Sequence, residues 1–320
     1  MHIQNNDVKT MLKTEYGVNA SGITPVTGGW CAAYRVDSGQ GAYFMKVYDK
    51  RKSGTGAYAG RLDLTMAAAS WLESNTELRG RINAPMLALN GEIKCEDENH
   101  VYLLFDFIDG ARCERRLSKR RKDQLAEIVA LLHAHGRDIP LDLSSITEDF
   151  TIPCDELIKT PPGPDCFIYQ YRDDIARALD KSYAMAEYVK SLDVPFVLCH
   201  TDIHGYNLMW SDRLILIDWE SIKFAPPEAD LNGFYPDSWS AGFWGDYWDS
   251  FLSVYRERHP GFTERTEVLR FYQLRRQIED VNEFYREYLY DDLTADRRKR
   301  IEFIVSLNHK SMQVIMGKLS

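Results

Sequence analysis

The chain has 320 residues, of which 44% are hydrophobic and 27% charged, with a formal net charge of −9. That length is about twice a typical domain, so two cores or one large bilobal unit are expected, and the composition excludes a disordered or fibrous chain. The acidic balance argues against nucleic acid as a partner, and no apolar run reaches the roughly 18–20 residues of a membrane span.

The polar start, Met1 to Thr10, lacks the apolar core of a signal peptide, and the six cysteines are scattered without a CxxC pair. A cytoplasmic protein with reduced thiols, and neither a zinc site nor a disulfide framework, is expected. Val8, Leu12 and Tyr16 stand at helical spacing in residues 1–16. From Ile23 to Val47 the texture changes to short β-prone runs broken by Gly28-Gly29 and by the turn Ser38-Gly39-Gln40-Gly41, which predicts three antiparallel strands. Lys50–Gly60 reads as a loop, and Leu62, Met66, Ala69 and Leu72 mark one face of a helix. Two more strands are predicted around Met86–Leu89 and Val101–Phe107. After Asp109-Gly110 the pattern becomes mostly helical, with a long helix from Glu114 to His135, a proline-rich loop over 138–167 and a helix from Tyr169 to Leu192. The short apolar strand Phe196–Cys199 follows, then several helices beyond residue 238. A β-rich first third and a helical remainder predict two lobes.

Chemistry concentrates in His200-Thr201-Asp202-Ile203-His204-Gly205-Tyr206-Asn207, followed by Leu214-Ile215-Leu216-Ile217-Asp218-Trp219-Glu220. A buried strand delivers a polar loop, and a hairpin returns a second carboxylate at the end of another apolar strand. Phosphoryl transfer needs a carboxylate near the attacking hydroxyl and oxygen ligands for Mg²⁺. Asp202 and Asn207 have the D-x-x-x-x-N spacing of a kinase catalytic loop, and Asp218 stands where the metal-binding carboxylate is expected.

These residues resemble the aminoglycoside phosphotransferase family, whose loop has the form H-G-D-x-H-x-x-N and whose next strand ends I-D-[WF]. Thr201 replaces the usual glycine. The loop Val197-Leu198-Cys199-His200 and the tail Ala225-Pro226-Pro227-Glu228-Ala229-Asp230-Leu231 are most similar to the spectinomycin-phosphotransferase branch. The resemblance implies an α+β, bilobal protein-kinase-like fold: a small antiparallel N-lobe (1–105) for nucleotide, a hinge (106–110) and a larger, mainly helical C-lobe (111–320). It further implies Asp202 as catalytic base, Asn207 and Asp218 as Mg²⁺ ligands, His204 as a brace for the loop and Asp230 as a structural tie.

For the nucleotide, Lys46 in Tyr43-Phe44-Met45-Lys46-Val47 is a lysine in an apolar strand, which needs an anionic partner such as the α- and β-phosphates. Gly28-Gly29 would cover the phosphates. By resemblance Asp106-Phe107-Ile108 would hold adenine, with ATP as the nucleotide and GTP as the alternative. The glutamate that the family places on the next helix to pair the lysine is missing. Asp63 is the nearest carboxylate, and it reads equally well as a helix N-terminal acid.

Residues 224–255 contain no lysine or arginine but ten aromatics and several carboxylates. A small cationic substrate is therefore expected, with Asp237, Trp239, Asp246, Glu279 and Asp280 as candidate contacts. Trp244, Trp248, Phe251 and Tyr255 follow helical spacing and also fit a core stripe. The alternatives are a metabolic kinase of choline, an amino-sugar or homoserine on the same fold, and a metallohydrolase built on His200, Asp202, His204 and Asp218.

Overall fold

The computed structural model describes residues 5–26, 31–52, 59–113, 116–236, 238 and 241–319. The chain divides into two compact units. One comprises Met1–Cys113, Asp138–Leu143 and Tyr206–Ile222; the other comprises Glu114–Arg137, Ser144–Gly205 and Lys223–Ser320. No helix among the described residues is long and apolar enough to cross a membrane.

The first unit is built on an antiparallel sheet of five strands in the order β1-β2-β3-β5-β4. These are β1 (Ala20–Val26), β2 (Ala32–Ser38), β3 (Gly41–Asp49), β4 (Cys95–Glu96) and β5 (His100–Asp106). Helix α1 (Asn5–Tyr16) buries Val8, Leu12 and Tyr16 in one cluster with Tyr34, Val36, Met45, Val47 and Leu104 of the sheet. Side chains alternate across a strand, so Lys46, between Met45 and Val47, points to the face opposite α1. Its register partners there are Ala33 and Leu103. Helix α2 (Leu62–Asn75) buries the expected Leu62, Met66, Ala69 and Leu72, together with Thr65 and Ala68.

The strand expected over Met86–Leu89 does not form. Pro85, which lacks a donor, makes only an isolated bridge to Phe105, and Met86 N donates to Leu104 O at 2.7 Å before the chain turns at Asn90-Gly91. The last strand position of the sheet falls instead to Cys95–Glu96. A second sheet joins β6 (Ala111–Arg112), β8 (Leu208–Trp210) and β9 (Leu214–Leu216). Gly110 allows that pairing, since a Cβ there would stand 2.5 Å from the Trp210 carbonyl oxygen. Leu216 N donates to Arg81 O at 2.8 Å, which fastens the β8–β9 hairpin within this unit.

The second unit is mainly helical. Helix α3 (Lys119–His135) begins later than expected because Ser118 is extended, with ψ 157°. Residues 114 and 115 lie outside the described set. Next come α4 (Asp155–Lys159), α5 (Arg172–Lys190) and β7 (Val197–Cys199), which pairs antiparallel with β10 (Lys223–Ala225). The remaining helices are α6 (Glu228–Leu231), α7 (Ala241–Trp244), α8 (Trp248–Arg258), α9 (Thr266–Tyr290) and α10 (Ala295–Lys318). Val268, Phe271, Leu274, Ile278 and Val281 of α9 share a core with Ile175, Ala178 and Val189 of α5 and Ile301, Val305 and Met312 of α10. An antiparallel-sheet unit and a mainly helical unit make up the α+β kinase-like fold.

Candidate active site

In the first unit the β8–β9 hairpin aligns Asn207 with the approach to Asp218. Leu208 pairs with Leu216, and Ile217 N donates to Asn207 O at 3.0 Å. Asn207 is buried. Asp218 itself has φ 73°, a left-handed conformation that a short polar side chain tolerates better than most and that often marks functional turns. That turn directs both Asp218 and Glu220 to Lys46. The Lys46 ammonium donates to Asp218 Oδ1 and to Glu220 Oε1, and the Tyr48 hydroxyl donates to the same Glu220 oxygen. Burial opposes the charge of Lys46, but the Asp218 and Glu220 carboxylates outweigh it and raise its pKa. Burial, then Glu220, pushes Tyr48 well above the usual phenol range. Asp63 is engaged elsewhere, 3.0 Å from Lys94.

At the end of β5, Phe107 N donates to Ala42 O at 3.2 Å, and the Arg35 guanidinium lies 4.4 Å from the Phe107 ring centre. Asp106 is exposed, with Phe107 and Ile108 partly buried.

In the second unit β7 delivers His200, Thr201 and Asp202. Thr201 adopts φ 66°, which explains the glycine of the motif: a β-branched residue is strained in the left-handed region. Asp230 holds the turn, accepting from His200 N at 2.9 Å and from Thr201 N at 2.6 Å. It also pairs with His133 Nε2 at 3.0 Å, whose Nδ1 meets the Tyr255 hydroxyl at 2.8 Å. We expect Thr201→Gly to remove this strain and raise the melting temperature by about 2 °C, equivalent to ~1 kcal/mol, as read by thermal denaturation.

Asp202 lies where three groups meet. Arg276 of α9 donates from Nη1 to Asp202 Oδ1 at 2.9 Å and from Nε to Asp280 Oδ1 at 2.8 Å. His204 Nε2 is 3.4 Å from Asp202 Oδ2, and Asp202 N approaches His200 Nδ1 at 3.3 Å. Burial raises the Asp202 pKa, but Arg276, then the two histidines, hold the carboxyl well below the ordinary range. Asp280 behaves oppositely: burial, with Glu279 and Asp202 adding to it against Arg276, pushes it up to about 6.

The structure thus brings Lys46 together with Asp218, and Asp202 together with Asp280. Gly28, Gly29, Asp237 and Trp239 lie outside the described residues. Asp246 is exposed, and Glu279 is partly buried on α9. Much of the aromatic stretch is core. Trp244, Trp248, Phe251 and Tyr255 are buried, Phe234 stacks on Phe251 at 4.3 Å, and Glu228 and Asp230 are committed to Arg265 and His133.

The sequence profile of the phosphotransferase enzyme family matches residues 22–272. The chain belongs to that family. No curated protein sequence matches it. Among solved structures, the chain is similar to spectinomycin phosphotransferase in complex with ADP and spectinomycin, at 20% identity and a TM-score of 0.71 over 98% of this chain and 94% of that one. It is also similar to a microcompartment-associated aminopropanol kinase, at 13% identity and TM-score 0.67 over 98% of each chain. A choline kinase from Streptococcus pneumoniae matches at 15% identity and TM-score 0.66, over 96% of this chain and 98% of that one. At such identities the likeness speaks for the fold.

Two residues of this phosphotransferase were not singled out by its sequence. Glu220 takes the Lys46 contact that the family gives to a helix glutamate. A faint signal existed, a second acid two residues after Asp218. Arg276 gave none, since Arg276 and Asp280 at i and i+4 read as an ordinary helix-surface pair.

Proposed function

We propose that this phosphotransferase moves the γ-phosphoryl group of ATP to a hydroxyl of a small cationic molecule, with Asp202 as the base. The observation that carries the reading is the Lys46 ammonium seated on Asp218 and Glu220. A lysine 9% exposed in a strand demands an anion for its ammonium, and the same strand position in kinases serves nucleotide phosphates. A hydrolase reading leaves Lys46 idle. The metal-type cluster among the described residues, His133, Cys199 and Asp230, is committed to structure: its atoms bond Tyr255, the Pro226 carbonyl and His200 N.

In this reading Lys46 exchanges a carboxylate for phosphate oxygens when nucleotide binds, with Gly28 and Gly29 over the phosphates. The Phe107 N–H is already used, so adenine recognition falls to the backbone of Asp106 and Ile108. Asn207 and Asp218 offer hard oxygen donors, and the Asp218 side chain is 37% exposed, a set that fits Mg²⁺. Bound there, Mg²⁺ would neutralise charge on the phosphates. Asp202 orients the acceptor hydroxyl and accepts its proton, while His204 keeps the carboxylate aimed. In this reading residues 1–105 are the nucleotide-binding lobe, 106–110 the hinge, and 111–320 the helical lobe with the catalytic loop and substrate site. Glu279 and Asp280 are the carboxylates that would face an acceptor ammonium. Enzymes named for spectinomycin, aminopropanol and choline, all amino or ammonium alcohols, are among the similar structures.

The test is release of ADP from ATP, or of GDP from GTP, against spectinomycin, aminoglycosides, aminopropanol, choline, amino-sugars and homoserine, with and without EDTA. Release that needs an acceptor and Mg²⁺ supports the proposal; none with any acceptor rejects it. In the same assay Lys46→Ala should raise the nucleotide KM at least about tenfold and lower kcat about 10²-fold, and Glu220→Gln should do so about fivefold. Unchanged constants in Lys46→Ala remove it from the site.

A further inference from the structure

Successive residues of α9 carry two arginines with different surroundings. Arg275 is buried and donates to Glu148 Oε2 at 2.6 Å, an ion pair inside the helical unit. Arg276, about 100° further round the helix, has a side chain 27% exposed and reaches the 200–204 loop. Its guanidinium is held at two points, by Asp280 on Nε and by Asp202 on Nη1. A planar group fixed at both ends has little freedom left, so it transmits the position of α9 to the carboxylate it touches. An ordinary surface pair would stop at the i+4 partner; this one extends to a residue 74 positions away, next to a strained left-handed turn.

We infer that Arg276 is a positioning residue for phosphoryl transfer, clamping the Asp202 carboxylate between α9 and the loop so that its second oxygen faces the acceptor hydroxyl. This rests on the reading of Asp202 as the base. A cation on the base would be a handicap if the base had to capture a proton early. Phosphoryl transfer passes through a loose transition state in which the acceptor proton departs late, so orientation and negative charge matter more than basicity. A guanidinium on Oδ1 supplies orientation, and Oδ2, which His204 Nε2 approaches at 3.4 Å, is the oxygen turned to the acceptor in this proposal. Asp280 belongs to the same clamp, since it fixes the Nε edge of Arg276.

The experiment compares Arg276→Met, Arg276→Lys, Arg276→Ala and Asp202→Asn in the full chain, measuring ADP release from ATP with spectinomycin, aminopropanol and choline in turn and with water alone. We expect Arg276→Met to lower kcat about 30- to 100-fold with the nucleotide KM within about threefold, and Arg276→Lys to recover part of the loss. Methylguanidinium should partly restore Arg276→Ala, a rescue that a general folding defect would not show. If Arg276→Met does not fold, the lysine variant and the rescue decide. A kcat within twofold of wild type in Arg276→Met, with Asp202→Asn inactive, overturns the clamp alone. A kcat within tenfold of wild type in Asp202→Asn overturns the base assignment instead, and no turnover by the wild-type chain with any acceptor overturns both.

Discussion

Asp202→Asn is expected to lower kcat by about 10³-fold while nucleotide affinity stays within about threefold. The substitution is nearly isosteric, and the asparagine carbonyl can still accept from Arg276. What disappears is the negative charge beside the acceptor and the capacity to take its proton. The fold should survive, because Arg276 retains Asp280 at 2.8 Å as a counter-charge. Single-turnover phosphoryl transfer and nucleotide titration of the same preparation separate the two effects. A kcat within tenfold of wild type would contradict Asp202 as base.

The second large effect is on stability. Asp230 is 3% exposed and accepts from His200 N and Thr201 N while pairing with His133. Asp230→Ala would leave the buried His200 N and His133 Nε2 and the part-buried Thr201 N without that partner, and removing the buried charge at the centre of such a network typically costs about 3–5 kcal/mol. We expect a fall in melting temperature of about 10 °C, together with lost turnover, because the same bonds hold Thr201 in its left-handed turn. A shift under about 2 °C would mean that the loop keeps its shape without Asp230.

Periodic features were legible in the sequence. The stripe Val8, Leu12, Tyr16, the alternation around Met45 and Val47, and the apolar face of α2 are local patterns that burial then obeys. Thr201 was also legible as a departure from glycine, and its φ of 66° gives that departure a physical meaning. Met86–Leu89 misled because apolar residues suggest a strand even where Pro85 and Asn90-Gly91 prevent a ladder. The core stripe in the basic-free aromatic stretch was legible too: Trp248, Phe251 and Tyr255 repeat at helical spacing because α8 buries them, with Tyr255 reaching His133. The partner of Lys46 could not be read locally. Glu220 stands 174 residues away and arrives only once the β8–β9 hairpin has folded. Arg276 was hidden for the same reason, since its distant partner is made by the tertiary fold.

The neighbouring arginines of α9 also bear on how this chain can change over evolutionary time. With Arg275 committed to Glu148 and Arg276 to Asp202, the helix has a fixed rotational phase. Inserting or deleting one residue between Thr266 and Arg275 would turn everything beyond it by about 100° and shift it by about 1.5 Å. Both arginines would lose their partners in one event, whereas point substitutions on the solvent side of the helix leave the phase intact. Related chains should therefore vary by substitution along this segment and keep its length, with insertions collecting instead in the connection at 291–294.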